Sequence, residues 1–147
     1  VKSAQLNADR AALMALFQFM IGNTDWEIAS CRNIMLLQPL DSTAKLIPVP
    51  YDFDFAGLVG APYASPSAES GVQTVLDRYL MAHEMHDEAI ENARKRIIDL
   101  KRDLYAWCAN PFLSRPSSNQ MVFFLDVFFK AIETNTEIPE TLQYPRE

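Results

Sequence analysis

Two segments rich in acids and amides, residues 22–33 and 51–57, carry the side chains of this sequence best suited to chemistry. In the second segment, Asp52 and Asp54 are separated by one residue, so an extended backbone would point both carboxylates to the same side. Like charges this close repel each other unless a cation or a proton offsets them. Hard divalent cations such as Mg²⁺ prefer these donors, usually one or two carboxylates together with substrate phosphates. The second segment therefore predicts a divalent-metal site.

The first segment places Asp25 in a loop after an apolar helix, and Asn33 follows eight residues later, where a strand should begin. Asp and Asn are also common turn residues that bond to their own backbone, so loop capping explains either segment alone equally well. The two segments together form a more demanding pattern: helix, loop Asp, Asn before a strand, hairpin, then Asp-Phe-Asp. This order favours a functional site over loop capping.

The elements that must position these residues follow from the apolar spacing and the turn residues. Apolar residues at three- and four-residue intervals predict a helix over residues 4–20, which Gly22 and Asn23 would end. Two short apolar runs at 33–37 and 45–50 predict a hairpin, and a Gly-, Pro- and Ser-rich loop follows at 51–71. Helices are predicted over 72–81, 87–108 and 119–133. We expect one domain over residues 1–147, of mostly helical α+β class, with the hairpin packed on the first helix.

This order of features resembles the catalytic, carboxyl-terminal lobe of the protein-kinase-like superfamily. Residues 51–57, Tyr-Asp-Phe-Asp-Phe-Ala-Gly, are similar to the Asp-Phe-Glu-Tyr-Ala segment of small-molecule kinases of the choline and aminoglycoside type. The Asn-Thr-Asp-Trp loop with a late Asn, followed by Pro-Tyr-Asp-Phe-Asp, more closely resembles CotH-type spore-coat kinases and related exported bacterial kinase-like proteins. The recognisable motifs lie within residues 10–60.

The resemblance implies a role for each acidic or amide residue. Asp25 would be the catalytic residue that orients and deprotonates a hydroxyl acceptor. Asn33 and Asp52 would bind Mg²⁺, or Mn²⁺, against the phosphates of ATP, and Asp54 would be a second metal ligand. The resemblance to exported bacterial kinase-like proteins also implies export to the periplasm or cell envelope.

The sequence departs from the kinase pattern in three ways. The interval from Asp25 to Asn33 is longer than the common spacing of five, so an insertion must be looped out. Asn23 and Thr24 stand where the family usually has a His or an Arg before the catalytic Asp. No Gly-rich loop and no strand lysine precede the first helix, so an amino-terminal lobe would have to lie upstream in a longer protein. We therefore expect these residues alone to be inactive as a kinase.

Two further pairs of residues have both a functional and a structural interpretation. Trp26 and Tyr51 flank the acidic residues and could stack on a base or sugar as cofactor-binding residues, or they could anchor the loops by packing. His83 and His86 could face one metal, but the pair has no evident third ligand, which favours exposed helical residues.

Bulk properties limit the partners. A net charge of −6 argues against nucleic acid, because affinity there comes largely from Lys and Arg. The sequence contains no apolar run close to the ~20 residues of a membrane span. Two other functions remain open: a non-catalytic interaction module of pseudokinase type, and a metal-dependent hydrolase that uses Asp52 and Asp54 directly. The spacing of Cys31 and Cys108 does not decide whether they pair.

Overall fold

The computed structural model describes residues 2–82 and 85–145 and shows a mostly helical α+β fold, which confirms the predicted class. His83 lies outside the described residues. In chain order the helices and strands are α1 (Ala8–Ile21), β1 (Ile34–Leu37), β2 (Ile47–Pro50), β3 (Arg78–Tyr79), α2 (Asp87–Asp99), α3 (Lys101–Cys108), α4 (Arg115–Thr134) and β4 (Thr141–Leu142). Single 3₁₀ turns lie at Ser3–Gln5 and Ala68–Ser70. In the part of the chain that is described, no helix is long and apolar enough to cross a membrane.

Helix α1 is the central element, and both of its ends are capped. The side chain of Asn7 accepts a hydrogen bond from the backbone N–H of Arg10, which satisfies one free donor of the first turn. Gly22 ends the helix in the left-handed conformation, with φ 68°. The apolar residues of α1 are not confined to one stripe, so the helix is buried on several sides, against α2, the hairpin and α4.

The hairpin packs on α1, as the sequence predicts. Strands β1 and β2 are antiparallel, with Ile34 opposite Pro50 and Leu37 opposite Ile47. Ile34 and Trp26 are buried in a small cluster with residues of α1. The hairpin thereby fixes both loops of the candidate site to the central helix.

The helix predicted over residues 72–81 is wrong. These residues form turns followed by strand β3, which pairs antiparallel with β4, so that Arg78 lies opposite Leu142. Asp77 is buried and accepts a hydrogen bond from the backbone N–H of Tyr144 at 3.0 Å. A partner more than 60 residues away therefore determines the conformation of this segment.

Three other helix boundaries differ from the prediction. Helix α1 begins at Ala8 rather than at residue 4, because Asn7 caps it and a separate 3₁₀ turn occupies Ser3–Gln5. The segment predicted as one helix over 87–108 is two helices, α2 and α3, which meet at Leu100. Helix α4 begins at Arg115 rather than at residue 119, because the Ser114 hydroxyl accepts from the backbone N–H of Ser117 and Pro116 occupies the first turn, where a missing N–H has no cost. Residues 115–118, which lie outside the predicted helix, form its first turn.

Arg78 is fully buried and joins the end of α1 to α4. Its Nε donates to the carbonyl of Met20 at 3.1 Å, and its Nη2 donates to the carbonyl of Phe124 at 2.6 Å. The guanidinium lies 3.6 Å from the centroid of the Phe124 ring, a cation–π contact. Burial lowers the pKa of the Arg78 guanidinium, since the charged form is desolvated.

Candidate functional site

The Asp-Phe-Asp segment is attached to the end of α1 by backbone hydrogen bonds. Gly57 N–H donates to the carbonyl of Gly22 at 3.1 Å, and Leu58 N–H donates to the carbonyl of Ile21 at 3.0 Å. Gly57 also lies close to the backbone oxygen of Val75. A Cβ at position 57 would overlap this oxygen, so the position requires glycine. The two segments identified from the sequence therefore meet at the carboxyl end of the central helix.

Asn23 fixes the loop that carries Asp25. This buried side chain donates to Gln18 Oε1 at 3.1 Å and accepts the backbone N–H of Asp25 at 2.9 Å. The next residue, Thr24, accepts the backbone N–H of Ser67 through its hydroxyl at 2.9 Å. Asn23 and Thr24 hold the loop in place by side-chain to backbone bonds.

Asp25 and Asn33 are in direct contact. The Asn33 amide donates both to the backbone carbonyl of Asp25 at 2.8 Å and to its Oδ2 at 2.9 Å. The intervening residues are looped out, as the long spacing predicts, because Glu27 and Arg32 exchange two backbone hydrogen bonds of 3.1 and 3.0 Å. This places Arg32 Nε 3.5 Å from Asp25 Oδ1. Sequence reasoning did not identify Arg32, since only the closed loop brings it back to the acid.

The hairpin joins this loop to the second segment. Tyr51 N–H donates to the carbonyl of Asn33 at 3.0 Å, one residue beyond the end of the paired strands. Both Asn33 and Asp52 adopt positive φ, at 54° and 59°, which is uncommon for residues with a Cβ. Backbone strain of this kind is often found at functional sites.

The acids of the second segment interact closely. Hydrogen bonding to Asp54, and next the negative charge of Asp54, raise the pKa of the exposed Asp52 carboxyl; the charge of Asp25 contributes in the same direction. The charge of Asp54 also raises the pKa of the Tyr63 hydroxyl. The Tyr63 ring meets Phe55 edge to face at 6.0 Å. Tyr63 is thus a second site residue that the sequence did not single out, beyond its place in the long loop.

The donor set suits a divalent cation only in part. Within residues 2–82 and 85–145, no three His, Cys, Asp or Glu side chains are arranged to hold a metal ion. Asp25 is bonded to Asn33, and Asp52 interacts with Asp54, but these side chains do not form a shell of three acids. Mg²⁺ takes one or two carboxylates and completes its shell with phosphates and water, so a pair of carboxylates fits part of such a shell.

The two aromatic residues have different environments. Trp26 is only 2% exposed and packs against Met14 and Ile34, so its indole face is not available to a nucleotide. We therefore correct its predicted role from cofactor binding to anchoring of the loop. Tyr51 is 48% exposed and precedes Asp52, so it retains an accessible ring beside the acids.

Comparison with known protein families, with curated proteins and with solved structures finds no significant match to this chain. The function is therefore inferred from the geometry of the site itself.

Proposed function

We propose that these residues form the catalytic half of an ATP- and Mg²⁺-dependent phosphoryl-transfer site that acts on a hydroxyl acceptor. The observation that carries this proposal is the junction of the two acidic segments. The pairing of β1 with β2 brings Tyr51 against Asn33, and the charge of Asp25 acts on Asp52, although 27 sequence positions separate the two acids. Phosphoryl transfer requires a base beside a metal-binding pair, and this junction supports that assignment of Asp25 and of Asp52 with Asp54.

Asp25 is suited to the role of base. The Asn33 amide holds one carboxylate oxygen, and Arg32 lies beside the other, so the side chain is oriented on both sides. Its side chain is 36% exposed, so a hydroxyl group of an acceptor can reach it from solvent. The carboxylate would accept the hydroxyl proton as the acceptor oxygen bonds to the γ-phosphorus of ATP and the bond from that phosphorus to the bridging oxygen breaks, with ADP as the leaving group.

The carboxylates of Asp52 and Asp54 would hold Mg²⁺ or Mn²⁺ together with the side-chain amide oxygen (Oδ1) of Asn33. When bound, such an ion neutralises charge on the nucleotide phosphates. The raised pKa of Asp52 supports this role, because a carboxylate pair that repels itself gains most from a cation. The ring of Tyr51 would contact the nucleotide, and residues outside this chain would supply the amino-terminal clamp on it.

Calorimetric titration of the intact protein that contains these residues with ATP and Mg²⁺ tests the proposal. We expect saturable, Mg²⁺-dependent binding that Asp52→Asn abolishes. Asp99→Asn, which changes an exposed acid at the end of α2, is the matched control and should bind normally. Absence of binding, or binding that Asp52→Asn leaves unchanged, would overturn the proposal. Absence of ATP and Mg²⁺ binding would favour a non-catalytic interaction module. Hydrolytic activity without nucleotide would favour a metal-dependent hydrolase.

A further inference from the structure

An apolar cavity of about 330 Å³ lies behind the Asp-Phe-Asp segment. It is open to solvent on one side and lined by side chains of α1, α3 and α4 and of residues 53–59. Phe53, Trp107 and Cys108 are among the lining residues. The cavity is within the size range of small-molecule sites, which are ~300–1,000 Å³.

The wall offers nothing to a polar ligand. None of the residues that line the cavity is ionised, and almost all of the lining surface is carbon. The Cys108 thiol lies 3.5 Å from the carbonyl of Leu104 and donates to it, and burial raises the pKa of this thiol, so it remains neutral. A charged or strongly polar molecule would lose its hydration here without gaining a partner.

We propose that this cavity binds a small uncharged apolar molecule of alkyl or aromatic type. Trp107 supports this interpretation, because it lines the cavity and is 71% exposed. A large exposed indole next to an open apolar cavity gains contact area when a ligand covers it. The deeper wall includes Cys108, which is 2% exposed, so the cavity extends from the surface into the core.

The cavity shares a wall with the candidate site. Phe53 stands between Asp52 and Asp54 in the sequence, lines the cavity and meets Phe17 of α1 edge to face at 5.7 Å. A bound molecule would therefore contact the segment that carries both acids. Binding in the cavity does not depend on phosphoryl transfer, so it can be tested separately.

The two tryptophans of the chain provide the test. In a ¹⁵N-correlated NMR spectrum each indole N–H gives one signal, and only Trp107 lines the cavity, whereas Trp26 lies in the other core cluster. We expect butylbenzene to shift the Trp107 signal saturably and to leave Trp26 in place. Glucose, a polar molecule of comparable size, should shift neither signal. No shift of Trp107 up to the solubility limit of butylbenzene would overturn the proposal.

Substitution of Cys108 shows whether a shift comes from the cavity or from the surface. Cys108→Phe should fill the cavity and weaken butylbenzene binding by about tenfold or more, which corresponds to ~1.4 kcal/mol. Cys108→Ala keeps the space and should bind like the parent. An unchanged Trp26 signal verifies the fold of each variant. If Cys108→Phe unfolds the protein, Cys108→Leu takes its place as the cavity-filling variant. Equal affinity in the filled and unfilled variants would place the ligand on the surface and contradict the proposal.

Discussion

Asn33 donates its side-chain amide to both the backbone carbonyl and the Oδ2 of Asp25, at 2.8 and 2.9 Å. It does so from a left-handed backbone conformation, with φ 54°. The two acceptors lie on one residue, so the bonds fix both the loop backbone and the carboxylate. In the proposed site this contact determines where the base points.

Substitution of Asn33 separates the hydrogen bonds from the backbone strain. Asn33→Gly and Asn33→Ala both lose the bonds to Asp25, but only Gly adopts positive φ without cost. We expect the Ala variant to be less stable than the Gly variant by about 1 kcal/mol, since the left-handed penalty exceeds the entropy that Ala saves in the unfolded chain. Urea unfolding measures the difference. An Ala variant more stable than the Gly variant would show that the strain is absent.

The Asp52–Asp54 pair predicts a pH dependence of stability. Because Asp54 raises the pKa of Asp52 in the folded state, the folded protein keeps a proton that the unfolded chain has already released. Between the two pKa values the free energy of unfolding therefore falls as the pH rises, and below both values the cost is absent. Asp54→Asn should remove this fall, so its stability advantage over the parent should grow with pH through the acidic range.

The control for this pH dependence is Asp99→Asn, which changes an acid remote in sequence from the pair. Its stability relative to the parent should not follow the same trend. Urea midpoints measured for the three proteins at several acidic pH values give the comparison. An advantage of Asp54→Asn that does not increase with pH would contradict the interaction between the two acids.

Gly57 and Gly71 allow steric overlap to be compared with backbone strain. A Cβ at Gly57 would overlap the Val75 carbonyl oxygen and lie 2.9 Å from Phe124 Cζ, whereas a Cβ at Gly71 would meet nothing within 4 Å. We expect Gly57→Ala to destabilise the protein by about 3 kcal/mol, at the upper end of overpacking costs. Gly71→Ala carries only the left-handed penalty of φ 69°, about 1 kcal/mol. Thermal unfolding measures both, and equal losses would show that Gly57 is not in close contact with Val75 and Phe124.

Arg78 is expected to stabilise the junction between α1 and α4. Arg78→Met would leave the carbonyls of Met20 and Phe124 buried without their donor, at a cost of about 3 kcal/mol in the free energy of unfolding. Arg78→Lys should lose less stability than Arg78→Met, because the charged ammonium group can still donate a hydrogen bond. It should remain below the parent, because lysine lacks the planar fork that reaches both carbonyls. Arg102→Met, at a side chain that is 95% exposed, is the control. Denaturant unfolding of all three gives the ranking, and a neutral Arg78→Met would contradict the assigned role.

The local features of the fold could be predicted from the sequence, and the non-local ones could not. Helix α1 and the hairpin follow from apolar spacing and turn residues that lie within each segment. The apolar residues of 72–81 resemble a helix locally, but the strand there depends on pairing with β4. The division at Leu100 has no Gly or Pro to mark it.

The candidate site shows the same limit. The kinase resemblance implies that Asp25, Asn33, Asp52 and Asp54 share one metal shell. The structure shows Asp25 bonded to Asn33, but within the described residues no three acidic side chains are arranged to hold a metal. The positions of Arg32 and Tyr63 depend on how two loops close, which residue types alone do not specify. The burial of Trp26 depends on the hairpin packing on α1. Sequence order thus identified the central residues, and tertiary packing determined their neighbours.

Transfer of labelled phosphate from γ-labelled ATP, measured in the intact protein that contains these residues, is the decisive test of the phosphoryl-transfer site. The acceptor can be water, the protein itself or an added hydroxyl compound. We expect Mg²⁺-dependent transfer that Asp25→Asn reduces by about 10²-fold or more, the usual contribution of a general base. Asp52→Asn should also abolish transfer, whereas Asp99→Asn should retain it. Transfer that persists in both site variants, or no transfer by a protein that binds Mg²⁺ and ATP, would contradict the assignment of a phosphoryl-transfer site.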